Sequence, residues 1–94
     1  MADLLRRVSL SPEVLFQIVQ NEAVLFDLVS EKYFTLNEAG GRMWQLLGEF
    51  GDPERVIPAV AAEFNAEETV IRADLTRLID QLAAAGLVSV NATP

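Results

Sequence analysis

The hydrophobic pattern of the chain changes at Asn37. Before this residue, two apolar runs, residues 14–20 and 23–29, are rich in β-branched and aromatic residues and are separated by a polar break, as is typical of strands. After it, apolar residues recur at intervals of three and four, which indicates an amphipathic helix. The short side chain of Asn37 can accept a hydrogen bond from the first helical turn, so we expect it to be the N-cap. The sequence thus predicts a sheet followed by helices.

A third strand is predicted just before Asn37, and its register with the second strand depends on the connecting loop. We expect a three-residue loop over residues 30–32. Because successive strand residues face opposite sides, this loop places Leu28 opposite Phe34 and creates one wholly apolar face. A two-residue loop would instead place Asp27 beside Phe34, so we favour the first register.

Three helices are predicted in the second half of the chain. The first covers residues 38–50. Asp52 is expected to cap the second helix, in which Pro58 predicts a kink or a late start because it has no N–H to donate. Asn65 is expected to cap the third helix, which should end at Gly86.

These elements predict an α+β fold in which a three-stranded antiparallel sheet is followed by three helices, similar to a winged helix-turn-helix. The 94 residues form one domain, 1–94, with an ordered core over about residues 14–88. Residues 1–13 are expected to be a frayed lead-in and residues 91–94 a tail.

Composition excludes several classes of function. The chain has no cysteine and no histidine, so we expect no catalytic residues, no metal site, no cofactor and no enzymatic activity. The net charge of −7 argues against nucleic acid and anionic membranes as partners. The N-terminus lacks the layout of a signal peptide and no apolar run is long enough to span a membrane, so we expect a cytoplasmic protein.

The third strand is a candidate binding edge. A small sheet has free edges, and an edge strand can capture an extended peptide as an additional strand. Between residues 32 and 36 the only charge is Lys32 and there is no proline, so little blocks such pairing. The alternative is an edge covered by the N-terminal residues.

Two stretches resemble the PqqD family. Residues 26–40, which contain the aromatic pair Tyr33-Phe34 and the run Leu36-Asn37-Glu38-Ala39-Gly40, are similar to its signature together with the following run Met43-Trp44-Gln45-Leu46-Leu47. Residues 73–75, Leu78, Leu82 and residues 85–88 are similar to the closing helix of the family. The resemblance covers roughly residues 14–88.

The resemblance implies a peptide-recognition domain of a pathway that modifies ribosomally synthesised peptides. Members of the family bind the precursor's leader segment as an antiparallel strand beside the third helix and deliver it to tailoring enzymes. The chain is more similar to stand-alone members that serve lasso-peptide pathways than to the pyrroloquinoline-quinone member. The implied partners are the precursor leader peptide, a separate leader peptidase and a downstream cyclase, and the expected state is a monomer or a weak dimer. By this resemblance the peptide-binding residues are Tyr33, Phe34, Thr35, Ile71, Asp74, Leu75 and Leu78.

Two alternative functions remain open. One is a peptide chaperone in pyrroloquinoline-quinone biosynthesis, which the family name implies. The other is a winged-helix DNA-binding regulator, against which the acidic charge of the chain weighs.

Overall fold

The computed structural model describes residues 6–92 and confirms the α+β class. A helical layer packs on one face of a small antiparallel sheet, and a separate two-stranded sheet joins the two ends of the described chain. The similarity to a winged helix-turn-helix stays a prediction. The elements in chain order are β1 (Arg6–Leu10), β2 (Val14–Val19), β3 (Glu22–Asp27), β4 (Lys32–Leu36), α1 (Glu38–Phe50), α2 (Pro53–Phe64), α3 (Glu68–Ala84) and β5 (Val88–Ala92).

The two-stranded sheet is the largest departure from the sequence-based prediction. β1 pairs antiparallel with β5, with Val8 opposite Val90, so a lead-in over residues 6–10 and a tail over residues 91–92 are both wrong. This pairing joins segments about eighty positions apart in the sequence. Turn residues predict only local hairpins, so they give no signal for such a non-local contact. The parts of the predicted lead-in and tail at residues 1–5 and 93–94 lie outside the described residues.

The main sheet has the strand order β2-β3-β4, as predicted, but the expected register of its second hairpin is wrong. Leu25, not Leu28, lies opposite Phe34, and Asp27 pairs with Lys32 across a four-residue turn. Leu28 lies in that turn and is exposed. The assumption of a wholly apolar inner face failed because a polar residue, Asp27, occupies a buried position on it.

Local hydrogen bonds make this buried carboxylate tolerable. Asp27 accepts a hydrogen bond from the Ser30 hydroxyl at 2.8 Å and another from the Val29 N–H at 3.1 Å. The N–H of Glu31, whose φ of 62° is left-handed, donates to the Asp27 carbonyl at 2.7 Å. The side chain that appeared to interrupt the apolar pattern therefore closes the turn.

α1 forms where the sequence predicted it. The Asn37 side chain accepts from the Gly40 N–H at 2.7 Å, which confirms it as the N-cap. Gly51, with a φ of 71°, ends the helix by donating its N–H to the Leu47 carbonyl. The helix crosses the sheet closely at Gly41, where an added Cβ would lie 2.7 Å from the Cβ of Ala23 on β3.

The other two helices follow the prediction in part. Asp52 caps α2 as expected, but Pro58 lies inside the helix, so the late start is wrong. Asn65 does not cap α3; it adopts a left-handed conformation with a φ of 52° and ends α2. Both roles suit asparagine, which tolerates this conformation better than most residues. α3 begins after Glu67, which makes no side-chain capping bond, and ends before Gly86 as predicted.

The core lies between the inner face of the sheet and the three helices. The buried faces of α1, α2 and α3 supply most of it, together with residues of β1, β3 and β5. The apolar spacing of α2 predicts Phe64 on its core face, but this residue is exposed at the end of the helix. The most fully buried side chains are Leu25, Leu47, Leu75, Leu87, Val56 and Val60.

The close approach of α1 to β3 predicts a strong effect of a single methyl group. Gly41→Ala should lower the free energy of unfolding by about 1–3 kcal/mol, because the new Cβ would overlap the Ala23 side chain in the buried contact. Gly48→Ala in the same helix is the matched control. There the new Cβ would meet only the end of the flexible Leu10 side chain, at 2.9 Å, and a gain in helix propensity of about 0.5–1 kcal/mol should offset the contact. Urea denaturation of both variants measures the difference, and equal stabilities would contradict the predicted packing.

The β3–β4 turn predicts an acid-sensitive contribution to stability. The Ser30 hydroxyl, and then the Val29 N–H, hold the pKa of the Asp27 carboxyl below its ordinary value. Since the pKa is lowered on folding, the contribution is present above the unfolded pKa of about 4 and is lost as pH falls through the folded value. Ser30→Ala should therefore lower stability at neutral pH and flatten its decline in acid. Denaturation series between neutral pH and about pH 2 measure this slope. Ser89→Ala on the exposed face of β5 is the control, and an unchanged slope for Ser30→Ala would contradict the assignment.

Candidate functional site

β4 is an edge of the main sheet. Among residues 6–92 it pairs with β3 alone, so its other side presents backbone N–H and C=O groups with no strand partner. In an antiparallel pair, alternate residues direct these groups towards opposite neighbours, so an edge strand keeps half of them for an incoming strand. The only charged residue in the strand is Lys32, and it contains no proline. The predicted free edge is therefore present in the described part of the chain.

A groove of about 290 Å³ runs between this edge and α3. The first turns of α1, which include the small residues Ala39 and Gly40, form its floor. The end of β4 forms one wall and one face of α3 the other. The lining residues are Thr35, Leu36, Asn37, Ala39, Gly40, Met43, Asp74, Arg77, Leu78 and Gln81.

The α3 wall combines an apolar base with a charged rim. Leu78 is buried at the base, while Asp74 and Arg77 form an ion pair at 3.2 Å whose side chains are 47% and 65% exposed. An ion pair as exposed as this contributes little to stability, so both groups can exchange partners with a ligand at little cost. The groove can therefore hold apolar side chains below and polar groups above.

Three of the residues that the resemblance implied meet at this groove: Thr35, Asp74 and Leu78. Tyr33 lies on the outer face of the sheet and is 70% exposed, and its ring packs against Phe26 with the ring centroids 4.6 Å apart. Phe34 points to the inner face and packs against the core. The two aromatic residues therefore flank the edge on opposite faces of the sheet.

The structure does not bring the other two residues to the groove. Ile71 and Leu75 are 4% and 1% exposed, so their side chains hold α3 against the core. The α3 groove residues that were missed are Arg77 and Gln81. With Asp74 they are spaced at intervals of three and four, so the sequence carried a signal for this face next to the apolar stripe.

The described residues offer little for other chemistry. Within residues 6–92 no three acidic side chains come together in a way that would hold a metal ion. In the same part of the chain, no helix is both long enough and apolar enough to cross a bilayer.

Comparison with known proteins identifies the family. The family model described as "Coenzyme PQQ synthesis protein D (PqqD)" matches residues 22–88, from the start of β3 to the start of β5. No curated protein matches the chain significantly.

Two solved structures are similar along nearly their whole length. The structure of TbiB1 in complex with the TbiA(beta) leader peptide has a TM-score of 0.77 and 31% identity, covering 86% of this chain and 94% of that one. The structure of lasso peptide synthetase B1 complexed with the leader peptide has a TM-score of 0.76 and 25% identity, with coverages of 88% and 98%. The family match covers well over half of the chain and agrees with the fold, and the chain therefore belongs to the PqqD family.

Proposed function

We propose that this protein binds the leader segment of a ribosomally synthesised precursor peptide as an additional strand on β4 and presents it to processing enzymes. The observation that carries the proposal is the free edge of β4 directly beside the groove of about 290 Å³. Two similar chains of the same fold were solved in complex with leader peptides, which supports the same class of ligand here.

The geometry divides binding into two contributions. Backbone hydrogen bonds to β4 fix the register and direction of the leader, and they depend little on its sequence. Side chains of the added strand alternate between the two faces of the sheet, so every second one enters the groove between β4 and α3. The groove of about 290 Å³ receives these side chains and supplies the specificity.

Each predicted site residue takes a role that follows from its position. Tyr33, Phe34 and Thr35 supply the pairing edge, with Tyr33 exposed beside the leader on the outer face. Asp74 and Leu78 form the wall of the groove. Ile71 and Leu75 act from the core by holding α3 at its distance from the edge.

The proposed pathway is lasso-peptide biosynthesis. One similar structure is described as a lasso peptide synthetase B1, which favours this pathway over the pyrroloquinoline-quinone pathway that the family description mentions. The partners are then a separate leader peptidase and a cyclase. Relative affinity for a lasso leader and for a pyrroloquinoline-quinone precursor separates the two pathways.

Binding of DNA has little support from the distribution of charge. Among the described residues, Arg42 pairs with Glu63 at 2.7 Å and Arg72 with Glu54 at 2.6 Å. Arg77 pairs with Asp74. In a chain of net charge −7, arginines that face carboxylates offer no basic stripe for a phosphate backbone.

Removal of one backbone donor tests the added strand. Thr35→Pro should weaken leader binding by roughly tenfold, because the ring removes an N–H and obstructs a neighbouring strand. Thr35→Val is the matched control; it keeps the shape and the N–H, and its affinity should stay close to that of the wild type. Calorimetric titration with a synthetic leader peptide measures both, and thermal unfolding verifies the fold. If a folded Thr35→Pro variant binds as tightly as the wild type, the leader does not pair with β4 at this position.

Filling the groove tests its role separately. Ala39→Leu places a larger side chain over the groove floor and should weaken leader binding by at least roughly tenfold, through loss of buried apolar contact. Ala62→Leu, at an exposed position of α2 outside the groove, is the control and should not alter the affinity. The same titration measures both variants. Unchanged affinity for Ala39→Leu would place the leader's side chains elsewhere even if β4 is the pairing edge.

A further inference from the structure

The main sheet has a second open edge, β2. Among residues 6–92 this strand pairs with β3 alone, and it contains no charged residue and no proline. Exposed edge strands usually carry such residues, because they prevent pairing with other chains. Instead, Leu15, Ile18 and Val19 are 56%, 52% and 46% exposed. This edge therefore lacks the features that keep edge strands apart.

The acidic charge of the molecule restricts which surfaces of two copies can meet, and β2 is a surface without charge. The chain carries a net charge of −7, so two copies repel each other over most orientations. Glu13 comes directly before the strand, and Glu22 follows the turn at its other end. The six residues of the strand itself, Val14–Val19, carry no charge. Two copies that meet along β2 thus place no carboxylate directly opposite another.

Symmetry restricts how two β2 strands can pair. When two copies of one strand pair antiparallel, the two-fold axis that relates them is perpendicular to the sheet. The residue at the axis then lies opposite the same residue of the second copy, and side chains on one face of the first sheet lie on the same face of the combined sheet. With Gln17 on the axis, Leu15 pairs with Val19 of the second copy and Phe16 pairs with Ile18. With Phe16 on the axis, Leu15 would instead face Gln17. The first arrangement pairs every apolar side chain from 15 to 19 with an apolar one.

The inner face of β2 leaves room for this contact. Of the inner-facing side chains of β2, Val14 and Phe16 pack against the core, whereas Ile18 is 52% exposed. Ile18 borders an open cavity of about 520 Å³, whose lining also includes Phe64, an exposed aromatic residue at the end of α2. Ile18 and Phe64 thus provide exposed apolar surface beside the strand, next to the polar residues Arg42, Gln45 and Glu63 of the same lining.

We propose that the protein self-associates through antiparallel pairing of β2 with β2 of a second copy, with Gln17 on the two-fold axis. The product is a six-stranded sheet of order β4-β3-β2-β2-β3-β4. Both β4 edges lie at its outer ends and stay open, so the proposal does not depend on the proposed function of β4. The contact is built on the six residues of β2 in each copy, against roughly 20–30 residues a side in stable interfaces. Association should therefore be weak, with a dissociation constant on the order of 100 μM.

A nearly isosteric substitution tests the axis. Gln17 is exposed, so Gln17→Glu should leave the monomer fold intact, yet it places two carboxylates about 5 Å apart across the axis. The dissociation constant should rise at least roughly tenfold. Asn91→Asp on β5 makes the same chemical change and the same change in net charge outside the main sheet, and it should associate as the wild type does. Sedimentation equilibrium from micromolar to millimolar protein measures all three chains.

Charge reversal at the same position completes the test. Gln17→Lys alone should also weaken association, because it faces itself, while an equimolar mixture of Gln17→Lys and Gln17→Glu should associate at least as well as the wild type. Circular dichroism verifies that each variant is folded. A wild-type chain that stays monomeric at millimolar concentration would overturn the proposal. So would a Gln17→Glu variant that associates normally, or a mixture that associates no better than its components.

Discussion

The short connection between β4 and α1 is the constraint on which the site depends. Asn37 is the single residue between the last residue of β4 and the first of α1, and its side chain caps the helix at 2.7 Å. α1 must therefore turn back over the sheet at once, and Gly41 allows it to contact β3 closely. This placement puts the small residues Ala39 and Gly40 beside the edge strand, and α3 packs alongside to complete the groove.

The same arrangement explains why a domain of this size suits peptide capture. Within residues 6–92 the main sheet has three strands, so a large share of its backbone lies at the edges β2 and β4. β4 is next to a groove with a charged rim, whereas β2 is uncharged and has exposed apolar side chains. Edges of such different character favour different partners, a leader peptide at β4 and a second copy at β2.

Local signals made part of this structure predictable. The caps Asn37 and Gly51 fix the bounds of α1 through short-range hydrogen bonds, and the sequence carries them directly. The register of the β3–β4 hairpin was not predictable from apolar alternation, because Asp27 is satisfied within its own turn and occupies a buried position. Asn65 suits two kinds of helix end, and in the fold its left-handed conformation ends α2.

Non-local contacts account for the rest. β1 and β5 pair although they lie near opposite ends of the sequence, and neither segment has a residue pattern that predicts the other as its pairing partner. On α3, Leu75 belongs to the buried stripe that packs on the core, while Arg77, two residues further along, lines the groove. Which neighbour each face meets depends on the rotation of the helix in the fold, and apolar spacing alone does not fix that rotation.

The added-strand mode is tested most directly by amide hydrogen exchange of the labelled domain, free and saturated with leader peptide. We expect alternate amides of residues 32–36 to gain protection, while the amides already bonded to β3 stay unchanged. Leader binding that leaves every β4 amide at its free exchange rate would contradict pairing at this edge.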